Sequence, residues 1–329
     1  MRRAGAAAAL LAAAAALAVL LAVRFGSVSL TTGEVLSALG GGGDPIQRDI
    51  VLGLRLPRAL LGVLVGGGLA LAGATFQALL RNPLAEPYIL GISGGSAAAA
   101  VIVLALGLSA GGSWVLPVAA FGGALLAIAL VFRVAAAADR ALDLRVLLLA
   151  GVVVGAFFSA VIALVLAMSD APTVRSAVMW MMGSLDGTRW SGVAIAAAYT
   201  LPASVVLLAL ARPLNVLAIG EETAAYLGTD VERVKRIAFG VASLITAAGV
   251  AVAGVIGFVG LIVPHAVRML VGSDHRALLP LSFLGGAAFL VLADLAARVV
   301  LAPAEVPIGV ITAFTGVPLF LVLLRGSMR

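Results

Sequence analysis

Residues 212–236, RPLNVLAIGEETAAYLGTDVERVKR, form a polar stretch between two long apolar runs and contain the only lysine of the chain, Lys235. Gly220 precedes two acidic residues, Glu221 and Glu222, and a helix N-terminus favours negative charge there because it carries a partial positive charge. Gly228 can end such a helix in the left-handed conformation. The stretch therefore predicts a short helix at the surface of an otherwise apolar protein.

A second helix start follows directly along the chain. Thr229 and Glu232 have the spacing of a capping box, which predicts that a helix begins here and continues into the apolar run from Ile237. Two interpretations of residues 212–236 stay open at this point. They form either an ordinary loop between two spans or a surface element that a soluble partner binds.

The composition identifies the class of protein. Of 329 residues 63% are hydrophobic and 11% are charged, and the mean hydropathy is +1.21. A soluble domain of this length cannot bury so much apolar surface, so the chain is predicted to be an all-α protein that crosses a membrane several times. The positive net charge of +6 does not indicate nucleic-acid binding, because the cations are spread among the loops as membrane topology requires.

Several kinds of chemistry are excluded by residue usage. The chain has no cysteine and two histidines, which excludes a thiolate nucleophile and a histidine-built metal cluster. Since the single lysine follows Val234, the phosphate-binding pattern GxxxxGK[ST] does not occur. If ATP drives this protein, another chain binds the ATP and its Mg²⁺, and we expect this chain to bind no cofactor.

The order of apolar runs predicts ten spans in one transmembrane domain, residues 1–329. The first run, which ends at Val23, follows Arg2 and Arg3; a cleaved signal peptide is the alternative, but the run is long enough to span. Residues 31–54 are predicted to form an outer loop or surface helix, and residues 170–190 a short outer helix. The other nine predicted spans are 57–80, 96–108, 114–138, 146–168 after a polar inner turn at 139–145, 191–211, 237–255, a short span that ends at Gly272, 277–301 and 307–325.

The distribution of basic residues favours one orientation. With both termini in the cytoplasm, fourteen of the 21 Lys and Arg residues fall on the inner side and seven on the outer side, as the positive-inside bias requires. Residues 212–236 then face the cytoplasm.

A short internal repeat suggests a transporter core. The pattern GxAxAG occurs at residues 68–73 and 249–254, and a proline follows ten residues later in each copy, Pro83 and Pro264. Five predicted spans separate the copies, so they would be inverted relative to each other, as in many transporters. Chance matching in a chain rich in glycine and alanine is the alternative. If the repeat is real, the irregular segments 82–91 and 257–264 enter from opposite sides and face the translocation path.

Candidate chemical groups are few. No acidic residue falls in the middle of a predicted span; Asp294 comes nearest, and Arg298 lies one helical turn away and can pair with it. A proton-coupled carrier usually needs such an acid, and no nucleophile–base pattern indicates an enzyme. His265 is either a residue of a translocation pathway or a packed, hydrogen-bonded side chain.

Three arginines fall at the predicted outer face, against the charge bias. Arg55, Arg58 and Arg298 could bind carboxylates of an outer protein through bidentate contacts. The alternative is contact with lipid headgroups or local pairing, such as that of Arg298 with Asp294.

Eight motifs along nearly the whole chain resemble the permease family of ABC importers for iron-siderophores, haem and vitamin B12. NPLAEP and WMMG are most similar to the vitamin B12 members. The motifs are RLPR (55–58), QALLRNPLAEP (77–87), LLLAG (147–151), WMMG (180–183), GFVGLIVPH (257–265), DHRALLP (274–280), LADLAAR (292–298) and AEVPIG (304–309).

The resemblance implies a type II ABC importer permease of ten helices that forms a homodimer in the bacterial plasma membrane. Two ATPase subunits would bind below it and a periplasmic or lipid-anchored binding protein above it, at Arg55, Arg58 and Arg298. The coupling segment within residues 212–236 would include Asn215, Gly220, Glu221, Glu222, Ala225, Leu227, Gly228 and Asp230. The gate and path would include Asn82, Pro83, Leu84, Ala141, Leu142, Asp143, Leu144, Gly257, Gly260 and Pro264.

The sequence departs from the family pattern at one gate. Leu142, Asp143 and Leu144 stand where the vitamin B12 importers have small hydroxyl residues. The functional hypothesis is alternating access, in which separate ATPases drive a metal chelate into the cytoplasm. An ion-coupled secondary transporter or channel is the alternative, and it would need no ATPase; a purely structural membrane protein would have little use for broken helices and an inverted repeat.

Overall fold

The computed structural model describes residues 2–26, 28–112, 114–138 and 144–327. Within these ranges every regular element is a helix, and a π-helix, Asp49–Arg55, leads directly into α4. The α-helices are α1 Arg2–Arg24, α2 Thr32–Leu39, α3 Pro45–Arg48, α4 Leu56–Leu79, α5 Ile92–Ala105, α6 Val115–Ala138, α7 Leu144–Ala167, α8 Ala171–Met181, α9 Trp190–Ala209, α10 Ala211–Ile219, α11 Glu221–Tyr226, α12 Val231–Ala253, α13 Val259–Val271, α14 His275–Val299 and α15 Ile308–Ser327.

Seven helical stretches in the described ranges are long and apolar enough to cross a membrane, and three shorter apolar helices accompany them. The seven are α1, the continuous stretch from α3 through α4, α6, α7, α9, α12 and α14, and the three are α5, α13 and α15. All ten lie within or beside the ten predicted spans. The prediction of an all-α protein with many membrane-spanning helices is thereby confirmed.

Helix α4 is the centre of the molecule, because it is buried along nearly its whole length. Its glycines let neighbouring backbones approach closely. A Cβ atom on Gly66 would lie 2.3 Å from the carbonyl oxygen of Gly286 in α14, and one on Gly73 would lie 2.0 Å from that of Gly260 in α13. A side chain at either position would therefore separate α4 from its neighbours.

A second close contact joins α5 to α6 and α7. A Cβ atom on Gly95 would lie 2.3 Å from the carbonyl oxygen of Gly123, and one on Gly91 would lie 3.0 Å from that of Gly151. These contacts serve helix packing, as small residues spaced four apart predict.

Residues 212–236 contain most of α10, all of α11 and the start of α12, where the sequence predicted only the last two of these helices. The first, α10, was not predicted, and it buries Leu214 and Leu217 on one face. Gly220 (φ 151°) separates it from α11, and Gly228 (φ 81°) follows α11 as predicted. The predicted cap of the next helix was wrong by one residue: Asp230, not Thr229, accepts the Arg233 backbone N–H at 3.1 Å, and α12 begins at Val231.

The two broken segments are shorter than the sequence indicated. Helix α5 begins at Ile92 instead of Ser96, and the segment between α12 and α13 is confined to residues 254–258. The prediction of irregular backbone as far as Pro264 was wrong, because Pro264 lies inside α13. Proline removes the hydrogen bond to the carbonyl four residues earlier, and here the Gln77 amide donates to that carbonyl, Gly260 O, at 3.2 Å.

Candidate functional site

An apolar groove lies where the end of α8, residues 255–258 and one face of α15 meet. It encloses about 610 Å³, and Phe314 at its rim is 77% exposed. The predicted path residue Gly257 lines the groove. The lining residues are Met181, Met182, Val255, Gly257, Phe258, Gly309, Val310, Ala313, Phe314, Val317 and Pro318.

The two broken segments, which the sequence placed separately beside a path, contact each other. The Glu86 carboxylate accepts the backbone N–H of Phe258 at 2.5 Å. The Tyr88 hydroxyl donates to the carbonyl of Ile256 and accepts its N–H at 2.8 Å. We call this contact between residues 86–88 and 256–258 the junction. The predicted path segments include Glu86, Tyr88 and Phe258, but sequence reasoning did not single out any of the three.

The other predicted gate residues that the structure describes do not line the groove: some are exposed in a loop and others lie in helices. Asn82, Pro83 and Leu84 are exposed in the loop after α4, where the Asn82 side chain accepts the Leu84 N–H at 2.9 Å. Gly260 and Pro264 are buried in α13, and Gly260 packs against α4. Residues Ala141, Leu142 and Asp143 lie outside the described ranges, and Leu144 begins α7.

His265 is half-buried on α13, one turn before Arg268. Its Nδ1 atom is buried and has no hydrogen-bond partner among the described residues. Arg268 donates to the Gln77 side-chain oxygen at 2.9 Å, which links α13 to α4 beside the junction.

The three predicted docking arginines lie together at one end of α14, in a group that we call the arginine cluster. Arg58 donates through Nε to the Asp294 carboxylate at 2.9 and 3.1 Å, and through Nη2 to Glu305 at 2.8 Å. The predicted pair is present, since Arg298 Nε lies 3.1 Å from Asp294 Oδ2. Asp294 is only 1% exposed, so its charge depends on both guanidinium groups.

Arg55 and Arg298 contact the end of α1 and the segment that follows it, including the carbonyl of Val28, to which Arg55 also donates. Arg55 donates to the carbonyls of Val23 at 3.0 Å and Arg24 at 2.7 Å. Arg298 donates to those of Ala22 at 3.1 Å and Phe25 at 3.3 Å. The carbonyls of Ala22, Val23 and Arg24 lie in the last turn of α1, where they have no partner within the helix, so the two arginines cap its C-terminus.

The arginines are buried in the single chain, although a cavity lies over them. Arg55, Arg58 and Arg298 are 6%, 8% and 5% exposed. The cavity encloses about 250 Å³, and Asp186 and Glu305 also line it.

The opposite end of α14 is tied to α10 by Asn215. The Asn215 amide donates to Asp274 at 2.7 Å, and its oxygen accepts the backbone N–H of His275 at 2.8 Å. The His275 ring Nδ1 lies 2.7 Å from the same oxygen, so Nδ1 carries the proton. Hydrogen bonds from the Arg276 backbone and from Asn215 lower the pKa of Asp274 below its usual value.

Helix α11 is tied to two other elements through Glu221. The buried Lys235 of α12 donates to the Glu221 carboxylate at 2.7 Å. Arg81, in the loop that leads to the junction, lies 4.0 Å from the same carboxylate. Glu221 therefore joins α11 both to α12 and to the end of α4.

Large apolar side chains project outward from α10 and from the end of α11. Tyr226 is 92% exposed, Ile219 71% and Leu227 66%. Sequence reasoning selected Leu227 but missed Ile219 and Tyr226. Ile219 directly precedes Gly220 and Tyr226 lies two residues before Gly228, each at the end of a short helix, and that position was the available signal.

Comparison with known proteins identifies the family. Residues 14–326 match the FecCD transport family. The chain is 48% identical over 284 residues to the cobalamin import system permease protein BtuC of Halobacterium salinarum, a match that covers 86% of this chain and 75% of the relative. It is 41% identical over 278 residues to the hemin transport system permease protein HmuU of Yersinia pestis, covering 84% and 83%.

A solved structure agrees with these matches. An inward-facing structure of a metal-chelate type ABC transporter superposes with a TM-score of 0.87 at 33% identity, covering 96% of this chain and 97% of the other. The resemblance that the sequence motifs indicated is confirmed. The chain belongs to the FecCD transport family and is an ABC transporter permease.

Proposed function

We propose that this member of the FecCD transport family is the permease of an ATP-driven importer that moves a metal chelate into the cytoplasm. Vitamin B12, haem and a ferric siderophore are the candidate chelates. The observation that carries the proposal is the apolar groove beside the junction, in a chain whose relatives include permeases named for cobalamin and hemin import. A groove of small and apolar residues suits a bulky ligand that must be held weakly and released.

The proposed architecture has ten spans and an inverted repeat. Helix lengths support it: α4 to α7 have 24, 14, 24 and 24 residues, and α12 to α15 have 23, 13, 25 and 20. Each set is a long helix, a short helix after a broken segment, and two long helices. Inverted repeats with broken segments at matching places are typical of transporter cores. Both termini would then lie in the cytoplasm and the chain in the plasma membrane.

We further propose that two copies of the chain form the path, with the groove of each copy facing the other across the dimer axis. The exposed Phe314 and Val317 on α15 support this arrangement, because apolar side chains beside an open groove need either lipid or a second chain. Alternating access would open the groove to one side of the membrane at a time.

The proposed coupling surface is formed by α10 and α11. Two ATPase subunits, which bind ATP and Mg²⁺, would each hold one copy of Tyr226 and Leu227. Exposed aromatic side chains of this kind frequently dominate the binding energy of an interface. The ties through Asn215 and Glu221 would carry motion of these helices to α14, α12 and α4.

The proposed docking surface is the cavity over the arginine cluster. A carboxylate from a periplasmic or lipid-anchored binding protein would enter it and compete with Glu305 and Asp186 for Arg58. Bidentate binding of carboxylates is the contact for which arginine is suited. Docking would then loosen the tie between Arg58 and the loop that contains Glu305.

The test is ATP hydrolysis by the permease co-purified with its ATPase and binding protein in lipid. Cyanocobalamin, haem and a ferric siderophore are added in turn. We expect one of them to stimulate hydrolysis above the rate without ligand. If none does, and ligand uptake instead follows an ion gradient, the chain is a secondary carrier and the proposal is wrong.

A further inference from the structure

Phe258 stands at the groove in a backbone conformation that needs support. Its φ of 69° lies in the left-handed region, which costs a bulky side chain roughly 1–2 kcal/mol. Such a residue persists only where its surroundings hold it in place. One support of this conformation comes from the other broken segment, where the Glu86 carboxylate accepts the Phe258 N–H at 2.5 Å.

The side chain of Phe258 is positioned from the opposite direction by α15. A Cβ atom on Gly316 would lie 2.8 Å from Phe258 Cβ and 2.9 Å from its Cγ. The aromatic ring thus packs on the bare backbone of α15, the helix that forms one wall of the groove. Phe258 therefore stands between Glu86 and a wall of the groove.

Tyr88 fixes the neighbouring residue by a second, independent contact. Its hydroxyl bonds both the N–H and the carbonyl of Ile256, so it replaces the helical hydrogen bonds that the broken segment lacks. Ile256 is fully buried. Residues 256 and 258 are each held by one side chain of the segment 86–88, and Gly257 between them lines the groove.

We propose that Glu86 and Tyr88 are positioning residues of the transport path, which hold residues 256–258 so that Phe258 controls the width of the groove. The proposal rests on the proposed function for the meaning of the groove as a path. It extends that function to the residues of the junction. The junction connects the loop after α4 to the groove, and Arg81 of that loop lies 4.0 Å from Glu221 of the coupling surface.

The first test measures the groove without any transport. The chain has no cysteine, so Ala313→Cys places a single thiol on the groove wall. The rate of its modification by a maleimide is measured in the purified, lipid-embedded full chain, alone and combined with Glu86→Ala, Glu86→Gln or Tyr88→Phe. Asp49→Ala, which removes an exposed carboxylate of the π-helix, is the matched control.

Glu86→Ala removes the acceptor of the Phe258 N–H, so we expect faster modification, on the order of tenfold, since hydrogen bonds to charged groups are the stronger class. Glu86→Gln keeps an acceptor oxygen, and its rate should stay near that of the parent. Tyr88→Phe should raise the rate by a smaller factor, and it tests the proposal if Glu86→Ala fails to fold. Equal rates in the parent, Glu86→Ala and Tyr88→Phe chains would overturn the proposal, as would Glu86→Gln behaving like Glu86→Ala.

The second test uses the complex with ATPase and binding protein in liposomes. With cyanocobalamin, haem or a ferric siderophore, whichever the parent imports, Glu86→Ala should lower the number of ligands imported per ATP hydrolysed, and Glu86→Gln should restore it. A purely structural role would lower both rates together. If the modification rates change as expected while no parent complex imports any chelate under ATP, Glu86 and Tyr88 do position residues 256–258, and the proposed function is wrong.

Discussion

The two ends of α14 carry two polar regions of opposite character. Helix α14 has 25 residues, about 37 Å at 1.5 Å per residue, so it reaches from one side of the molecule to the other. At its end the arginine cluster is buried; Arg58 and Arg298 are paired with carboxylates of the chain, and Arg55 donates to backbone carbonyls. At its start, Asn215 and the α10–α11 surface are partly exposed, and apolar side chains there project outward.

The two regions contribute to different properties of the protein, one to its stability and the other to binding. A buried charge network stabilises the fold only while all its members are present, because a single unpaired charge in the interior is costly. An exposed surface contributes little to folding, so its side chains are free to bind another protein. We therefore expect substitutions in the arginine cluster to lower stability and substitutions at the α10–α11 surface to lower activity.

The largest effect is expected for Asp294→Ala. This change leaves Arg58 and Arg298 buried without their shared carboxylate, and loss of one partner from a buried ion pair typically costs about 3–5 kcal/mol. Thermal unfolding of the purified chain in detergent measures it. Asp186→Ala is the control, since Asp186 is exposed and 3.5 Å from Arg58. Equal melting temperatures for the two variants would contradict the account of a buried network.

The second effect is expected for Tyr226→Ala, which removes the most exposed apolar side chain of α11. Stability should change by less than about 0.5 kcal/mol. ATPase binding should weaken by about 2 kcal/mol or more, as for a central aromatic residue of an interface. Co-purification and ligand-stimulated hydrolysis measure the loss, with exposed Tyr199→Ala on α9 as the control. Unchanged coupling would remove Tyr226 from the coupling surface.

A smaller effect is expected for Asn215→Ala. Because Asn215 is half-buried and ties α10 to α14, this substitution should lower both stability and activity. The His275 backbone N–H and the Asp274 carboxylate lose a partner each, so the cost should be about 1–2 kcal/mol of stability. Coupling should fall as well, because α10 is no longer tied to α14. A variant that loses neither property would show that the contact is incidental.

The smallest effect is a dependence on acid pH. The pKa of Asp274 is lowered in the folded chain by the Arg276 N–H and the Asn215 amide. A depressed pKa means that the carboxylate stabilises the fold above its unfolded pKa of about 3.9 and that this contribution is lost as pH falls through the folded value.

The measurement compares melting temperatures at pH 6 and at progressively lower pH for the parent and Asp274→Asn chains. The parent should lose stability on acidification more steeply than the variant. Parallel curves would show that this carboxylate is not linked to folding.

Short-range signals in the sequence predicted much of both regions. Glycines at 220 and 228 correctly predicted the bounds of α11 because they adopt backbone conformations that other residues avoid. The spacing of Asp294 and Arg298 predicted their pairing on one helix. The motifs predicted the family, which the comparisons confirm.

What the sequence could not provide depends on contacts distant in the chain. Arg58 and Asp294 are 236 residues apart, so no local pattern could show that the arginine Arg58 is buried. Pro264 predicted a break, but α13 continues through it, and the carbonyl that the proline leaves without a helical donor accepts a hydrogen bond from the distant Gln77 amide. Helix α10 was missed because it is short and follows α9 after a single residue. The assignments for docking and coupling stay predictions, as does that for the gate near residue 142.

The most direct test is uptake of cyanocobalamin and, in parallel, of haem and a ferric siderophore into liposomes that contain the permease and its ATPase, with binding protein outside and ATP enclosed. We predict uptake of one chelate that requires ATP and is lost with Tyr226→Ala while the complex's permease stays folded. Uptake that needs only an ion gradient, or that persists unchanged with Tyr226→Ala, would contradict the assignment of the α10–α11 surface to an ATPase.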